Sequence, residues 1–120
     1  KKGASLPQQE RLHRAYEECA ADLRVDHADV RVAPVGLAWH MALGTGEVDL
    51  YAEDGAHPSS RGTYLAALVI MSTLLKISPI GAEMKISTNV GKLKVLTPEA
   101  KFLQQKAATA VSQAFNDPSL

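Results

Sequence analysis

The stretch that most constrains this chain is Asp29-Val30-Arg31-Val32-Ala33-Pro34, where Val30 and Val32 fall on one side of an extended backbone and Arg31 on the other. That alternation has the period of a short strand, and Pro34, which lacks an N–H, ends any ladder. A single short strand leaves unpaired backbone groups on both edges. The remaining strands are therefore expected from a neighbouring segment or from another chain. Elsewhere the periodicity is helical. Over residues 8–23, Leu12, Ala15, Tyr16, Cys19, Ala20 and Leu23 recur at three- and four-residue spacing, which predicts a helix with one buried stripe. Residues 35–43 read as a short helix stopped by Gly44-Thr45-Gly46. A longer helix is predicted from an N-cap at Ser59 or Ser60 to about Lys76, and a last one from an N-cap at Thr97, with Pro98 and Glu99 in its first turn, to about Phe115. Ser78-Pro79-Ile80-Gly81 reads as a turn, and the apolar residues of 84–96 are too irregular to assign as strand or loop. This order of elements is that of one end of an α/β layered fold, incomplete on its own.

Composition removes several function classes. Thirteen basic residues balance thirteen acidic ones, so no net field favours nucleic acid, an anionic membrane or a polyanionic substrate. The single cysteine, Cys19, cannot form an internal disulfide, and no cysteine pair has zinc-site spacing, so neither metal nor other cofactor is implied. The most apolar run, 65–75, is about half the roughly 20 residues that cross a bilayer, and Ser72 and Thr73 interrupt it. It reads as a buried helix and not as a membrane span. The first seven residues, Lys1-Lys2-Gly3-Ala4-Ser5-Leu6-Pro7, contain no apolar h-region and no initiator methionine. No signal peptide is read there, the compartment stays open, and the chain is expected to be a piece of something longer.

The residues with chemistry to offer are Asp54 and His57. In a Ser-His-Asp mechanism the imidazole takes the serine proton, while a carboxylate on its other nitrogen fixes the tautomer and stabilises the imidazolium. Asp54 and His57 stand three apart around Gly55, which tolerates turn angles closed to other residues, and the turn feeds a capped helix. The surrounding block, Asp54-Gly55-Ala56-His57-Pro58-Ser59-Ser60-Arg61-Gly62-Thr63-Tyr64-Leu65-Ala66-Ala67, resembles the last block of the SGNH (GDSL-like) ester hydrolases: Asp-Gly-x-His-Pro followed by a helix containing Gly, Tyr and Ala. Val32-Ala33-Pro34-Val35-Gly36-Leu37-Ala38-Trp39 is similar to the strand and short helix that precede that block, which extends the similarity over residues 8–75. The 97–115 helix is similar to the tail of some bacterial members.

The resemblance implies a C-terminal portion of a three-layer, doubly wound, flavodoxin-like α/β domain. It implies His57 as general base, Asp54 as its orienting acid, and a small ester substrate such as an acylated carbohydrate. It also implies a partner, the N-terminal half of the same hydrolase, because the Gly-Asp-Ser nucleophile block and the oxyanion blocks lie N-terminal to these residues in the family. No Gly-Asp-Ser occurs here. Without a serine and oxyanion donors the pair cannot turn over an ester by itself. A second reading follows from that absence: a non-catalytic structural subunit with a degenerate hydrolase fold, its sheet completed by another subunit of an assembly.

Plainer readings compete at each residue. Asp-Gly is a common turn and His-Pro-Ser an ordinary lead into a helix cap. Cys19 lies on the apolar stripe of the first helix, where a free cysteine is a small buried hydrophobe and not a nucleophile for His13. His13, His27 and His40 lack carboxylates at ligand spacing. Trp39 in an apolar helix reads as core before it reads as pocket lining. Lys85, Lys92 and Lys94 read as a solvated face.

Overall fold

The computed structural model describes residues 5–89 and 91–120. The chain folds as α1 (Leu6–Leu23), α2 (Val35–Leu43), α3 (Ser60–Leu75), a hairpin of β1 (Lys85–Thr88) and β2 (Gly91–Lys94), and α4 (Thr97–Phe115). The starts of α1 and α3 have local causes. Ser5 and Gln8 form a reciprocal capping box at α1: Gln8 N donates to Ser5 Oγ at 3.4 Å and Ser5 N to Gln8 Oε1 at 2.7 Å. Pro7 is then tolerated in the first turn, where no backbone donor is needed. At α3, Ser59 Oγ accepts from Gly62 N. α4 begins one residue earlier than expected, at Thr97 itself: Leu96 occupies the N-cap without a side-chain bond, and Thr97 and Pro98 are already helical.

The core lies where α2, α3 and α4 meet. Leu50, Leu65, Val69, Leu103 and Val111 are fully buried there, each contributing about 1.5–3 kcal/mol relative to exposure. Ala100, Ala107 and Ala110 give α4 a small-residue inner face, which lets the other two helices approach closely. Gln104 is the buried polar residue of this helix. Its Nε2 donates to Tyr64 Oη at 3.0 Å and to Ala82 O at 3.1 Å, and its Oε1 accepts from Gly81 N at 3.0 Å, so the 79–82 turn is tied to α3 and α4.

This architecture corrects the expected α/β class. Among the described residues there is no parallel sheet; the only ladder is the antiparallel pairing of β1 with β2, in the register Lys85 to Lys94 and Thr88 to Gly91. The three-layer, doubly wound arrangement is therefore not what this chain adopts. Helices α2, α3 and α4 bury their inner faces against one another, while Ile70, Leu74 and Leu75 of α3 stay exposed. Residues 29–34 form no ladder either. The segment is held by side chains instead: the Arg31 guanidinium donates to Thr73 O at 2.8 Å and Leu74 O at 3.0 Å, in the last turn of α3, and pairs with Asp29, while Arg24 Nε donates to Val30 O at 2.9 Å. The backbone N–H groups of Val30, Arg31, Val32 and Ala33 make no hydrogen bond to the described residues.

The first helix also departs from its expected packing. Only Ala20 of α1 is buried, while Leu12, Tyr16 and Cys19 are exposed, because α2 is the one helix or strand among the described residues that α1 packs against. Gly36 permits that contact, since a Cβ there would meet Gln9 Oε1 at 2.2 Å. Among the described residues no helix is long and apolar enough to cross a membrane.

Candidate functional site: the Asp54–His57 turn

The loop between α2 and α3 doubles back on itself through paired backbone groups. Ser59 N donates to Leu50 O at 2.8 Å and Ala52 N to His57 O at 2.8 Å, with an antiparallel bridge between Tyr51 and Pro58 lying between them. Ser59 locks the base of the loop a second time, its Oγ donating to Asp49 O at 2.8 Å while capping α3. The tip is closed by Gly55 N donating to Ala52 O at 2.9 Å, with Gly55 at φ 69°, a left-handed angle that glycine adopts without a Cβ clash.

Within that frame Asp54 uses both carboxylate oxygens on its own turn. Oδ1 accepts from Ala56 N at 2.9 Å and from His57 N at 3.0 Å, an Asx-type arrangement, and Oδ2 lies 2.5 Å from His57 Nδ1. The N–H of Ala56, then the His57 side chain, then the His57 N–H hold the Asp54 carboxyl below its usual range. The imidazole tautomer that carries its proton on Nδ1 donates it to Asp54 and leaves a lone pair on Nε2. His57 is exposed over 82% of its side chain, and its Nε2 has no partner among the described residues.

The two residues expected to act together are thus in contact, but not at the edge of a sheet. They sit in an exposed loop leading into the N-terminus of α3. No serine among the described residues hydrogen-bonds to His57: Ser59, the nearest in sequence, is committed to Asp49 O and Gly62 N. The other histidines stand apart from the pair, with His27 exposed and His13 and His40 half-buried on separate helices. The apolar cleft of about 430 Å³ between α3 and residues 77–83, lined by Tyr64, Leu68, Met71 and Ile80, includes neither Asp54 nor His57.

Several supports of the loop were not read from the sequence. Trp39 of α2 packs edge-on against Tyr51, with ring centroids 5.5 Å apart and planes at 69°. Gly62 lets both Trp39 and the Leu50 carbonyl approach α3; an added Cβ would lie 2.4 Å from Trp39 Cη2 and 2.3 Å from Leu50 O. The available signal was a glycine in the first turn of an otherwise good helix, where its propensity cost needs a packing reason. No family model, curated protein or solved structure matches the chain.

Proposed function

We propose that Asp54 and His57 form the proton-transfer pair of an ester hydrolase acting on a small acyl ester, with the nucleophilic serine supplied by a polypeptide segment outside these 120 residues. The observation that carries this reading is the division of the imidazole: Nδ1 is engaged by a carboxylate whose other oxygen is fixed by two backbone N–H groups, and Nε2, on an exposed side chain, has no partner among the described residues. In the reaction Nε2 takes the serine hydroxyl proton as Oγ bonds to the acyl carbon. The imidazolium then returns that proton to the departing alcohol. Water attacks the acyl-serine with Nε2 again as base, which releases the acid and restores the hydroxyl. Asp54 keeps the tautomer and stabilises the transient positive charge.

The test is hydrolysis of p-nitrophenyl acetate by the protein together with its serine-bearing segment. His57→Ala should lower kcat by at least about a thousandfold, and Asp54→Asn by a comparable order, with unchanged circular dichroism. Wild-type turnover by His57→Ala would overturn the proposal. A non-catalytic structural subunit is the second reading, favoured by the lack of any hydroxyl bonded to His57 among the described residues; it predicts no ester cleavage by wild type or variant.

A further inference from the structure

The Asp54–His57 contact is local, but the direction in which the free Nε2 points depends on how the whole 51–58 loop leaves the helical body. Three observations converge on one side chain at that junction. Trp39 meets Tyr51 edge-on, and Tyr51 is bridged to Pro58, the residue after His57. The same indole lies against the first turn of α3 at Gly62, whose N–H is bonded to the cap residue that ends the loop. Finally, Trp39 Nε1 is buried and makes no hydrogen bond among the described residues, so the site uses the ring's shape and not its polar group. The indole is a wedge between the outgoing arm of the loop and the helix into which the loop returns.

We infer that Trp39 is a positioning residue for His57, setting through Tyr51 and Gly62 the angle at which the loop presents the imidazole. The inference rests on the proton-transfer reading of the pair, but it is tested by a measurement that needs no turnover. NMR relaxation of the chain, with labelled histidine, reports both the order of His57 and the resonance of its Nδ1 proton. In the wild type His57 should be ordered like the adjoining helices, with an order parameter near about 0.85. Trp39→Ala should reduce it toward the flexible range below about 0.6 while the order of α4 is unchanged, and Trp39→Phe, which keeps a ring, should retain the wild-type value. If Trp39→Ala does not fold, Tyr51→Ala carries the same test, since it removes the contact from a half-buried position in the loop.

Wild-type order at His57 in Trp39→Ala or Tyr51→Ala, with only a lowered melting temperature, would reduce Trp39 to ordinary packing and overturn the inference. Asp54→Asn separates the two ideas. It should abolish the Nδ1 proton signal; if that signal persists, the paired reading fails while the order comparison still decides the role of Trp39.

Discussion

Gly62→Ala sets two well-characterised effects against each other at one atom. In a helix interior alanine is favoured over glycine by roughly 0.5–1 kcal/mol, so propensity alone calls the change stabilising. The new Cβ would lie 2.3 Å from Leu50 O, 2.4 Å from Trp39 Cη2 and 3.1 Å from Trp39 Cζ3. Carbon contacts are comfortable at about 3.5–4.0 Å, so the indole must retreat by about 1 Å. The Leu50 carbonyl is backbone and accepts from Ser59 N, so moving it weakens a hydrogen bond worth about 0.5–1.5 kcal/mol. Overpacking of this kind costs about 1–3 kcal/mol, and the net expectation is a loss of about 1–3 kcal/mol. Urea unfolding followed by fluorescence reads it directly, because Trp39 is the only tryptophan. With an m-value of about 1–3 kcal/mol/M the midpoint should fall by roughly 1 M. Gly44→Ala is the control: Gly44 has φ −62° and its added Cβ would come no closer than 3.5 Å to another atom, so its midpoint should hold or rise. A Gly62→Ala protein at least as stable as wild type would refute the close approach, and with it the seating of Trp39.

Two further predictions concern the buried amide and the Asp54 carboxylate. Gln104→Leu keeps most of the buried volume but strips partners from Gly81 N and Ala82 O, and should cost about 1–3 kcal/mol in the same urea assay, with faster amide exchange at Gly81; an unchanged midpoint would show that the 79–82 turn does not depend on it. The Asp54 carboxyl, followed by ¹³C NMR, should titrate below the value of about 3.9 seen in model peptides. Because its folded pKa is depressed, the bonds it accepts stabilise the turn above the unfolded value and are lost as pH falls through the folded one. A midpoint at or above the peptide value would mean that the turn in solution does not hold these bonds.

The sequence was informative where one side chain's spacing decides the outcome and silent where a partner decides it. The limits of α2 follow from the apolar run and Gly44, and Ser59 caps α3 as its position suggests. The alternation of Val30 and Val32 is equally clear, yet a strand is a relation between two segments, and no second strand among the described residues pairs with it. The stripe of α1 has helical spacing too, but spacing says nothing of what covers it, and Leu12, Tyr16 and Cys19 remain exposed. In 84–96 the hairpin went unread because Lys85, Ser87, Lys92 and Lys94 place polar residues in both arms without an apolar face strong enough to signal a strand. At the site, the contact of Asp54 with His57 was legible because three residues and a glycine suffice to make it. The wedge of Trp39 was not, since it joins residues 39, 51 and 62.

That brevity of the Asp54–His57 contact bears on how the chain reaches its folded state. A loop closed over three residues gives up little chain entropy, so the carboxylate and imidazole can meet before the helices assemble and can stay together when they part. The Trp39 wedge reaches forward to Tyr51 and, further along the chain, to Gly62, and it forms only when α2 and α3 dock. The pair is thus a low-contact-order element carried on a higher-order frame. A chain that has lost its cooperative core can still bring carboxylate and imidazole together transiently, but with nothing to aim them.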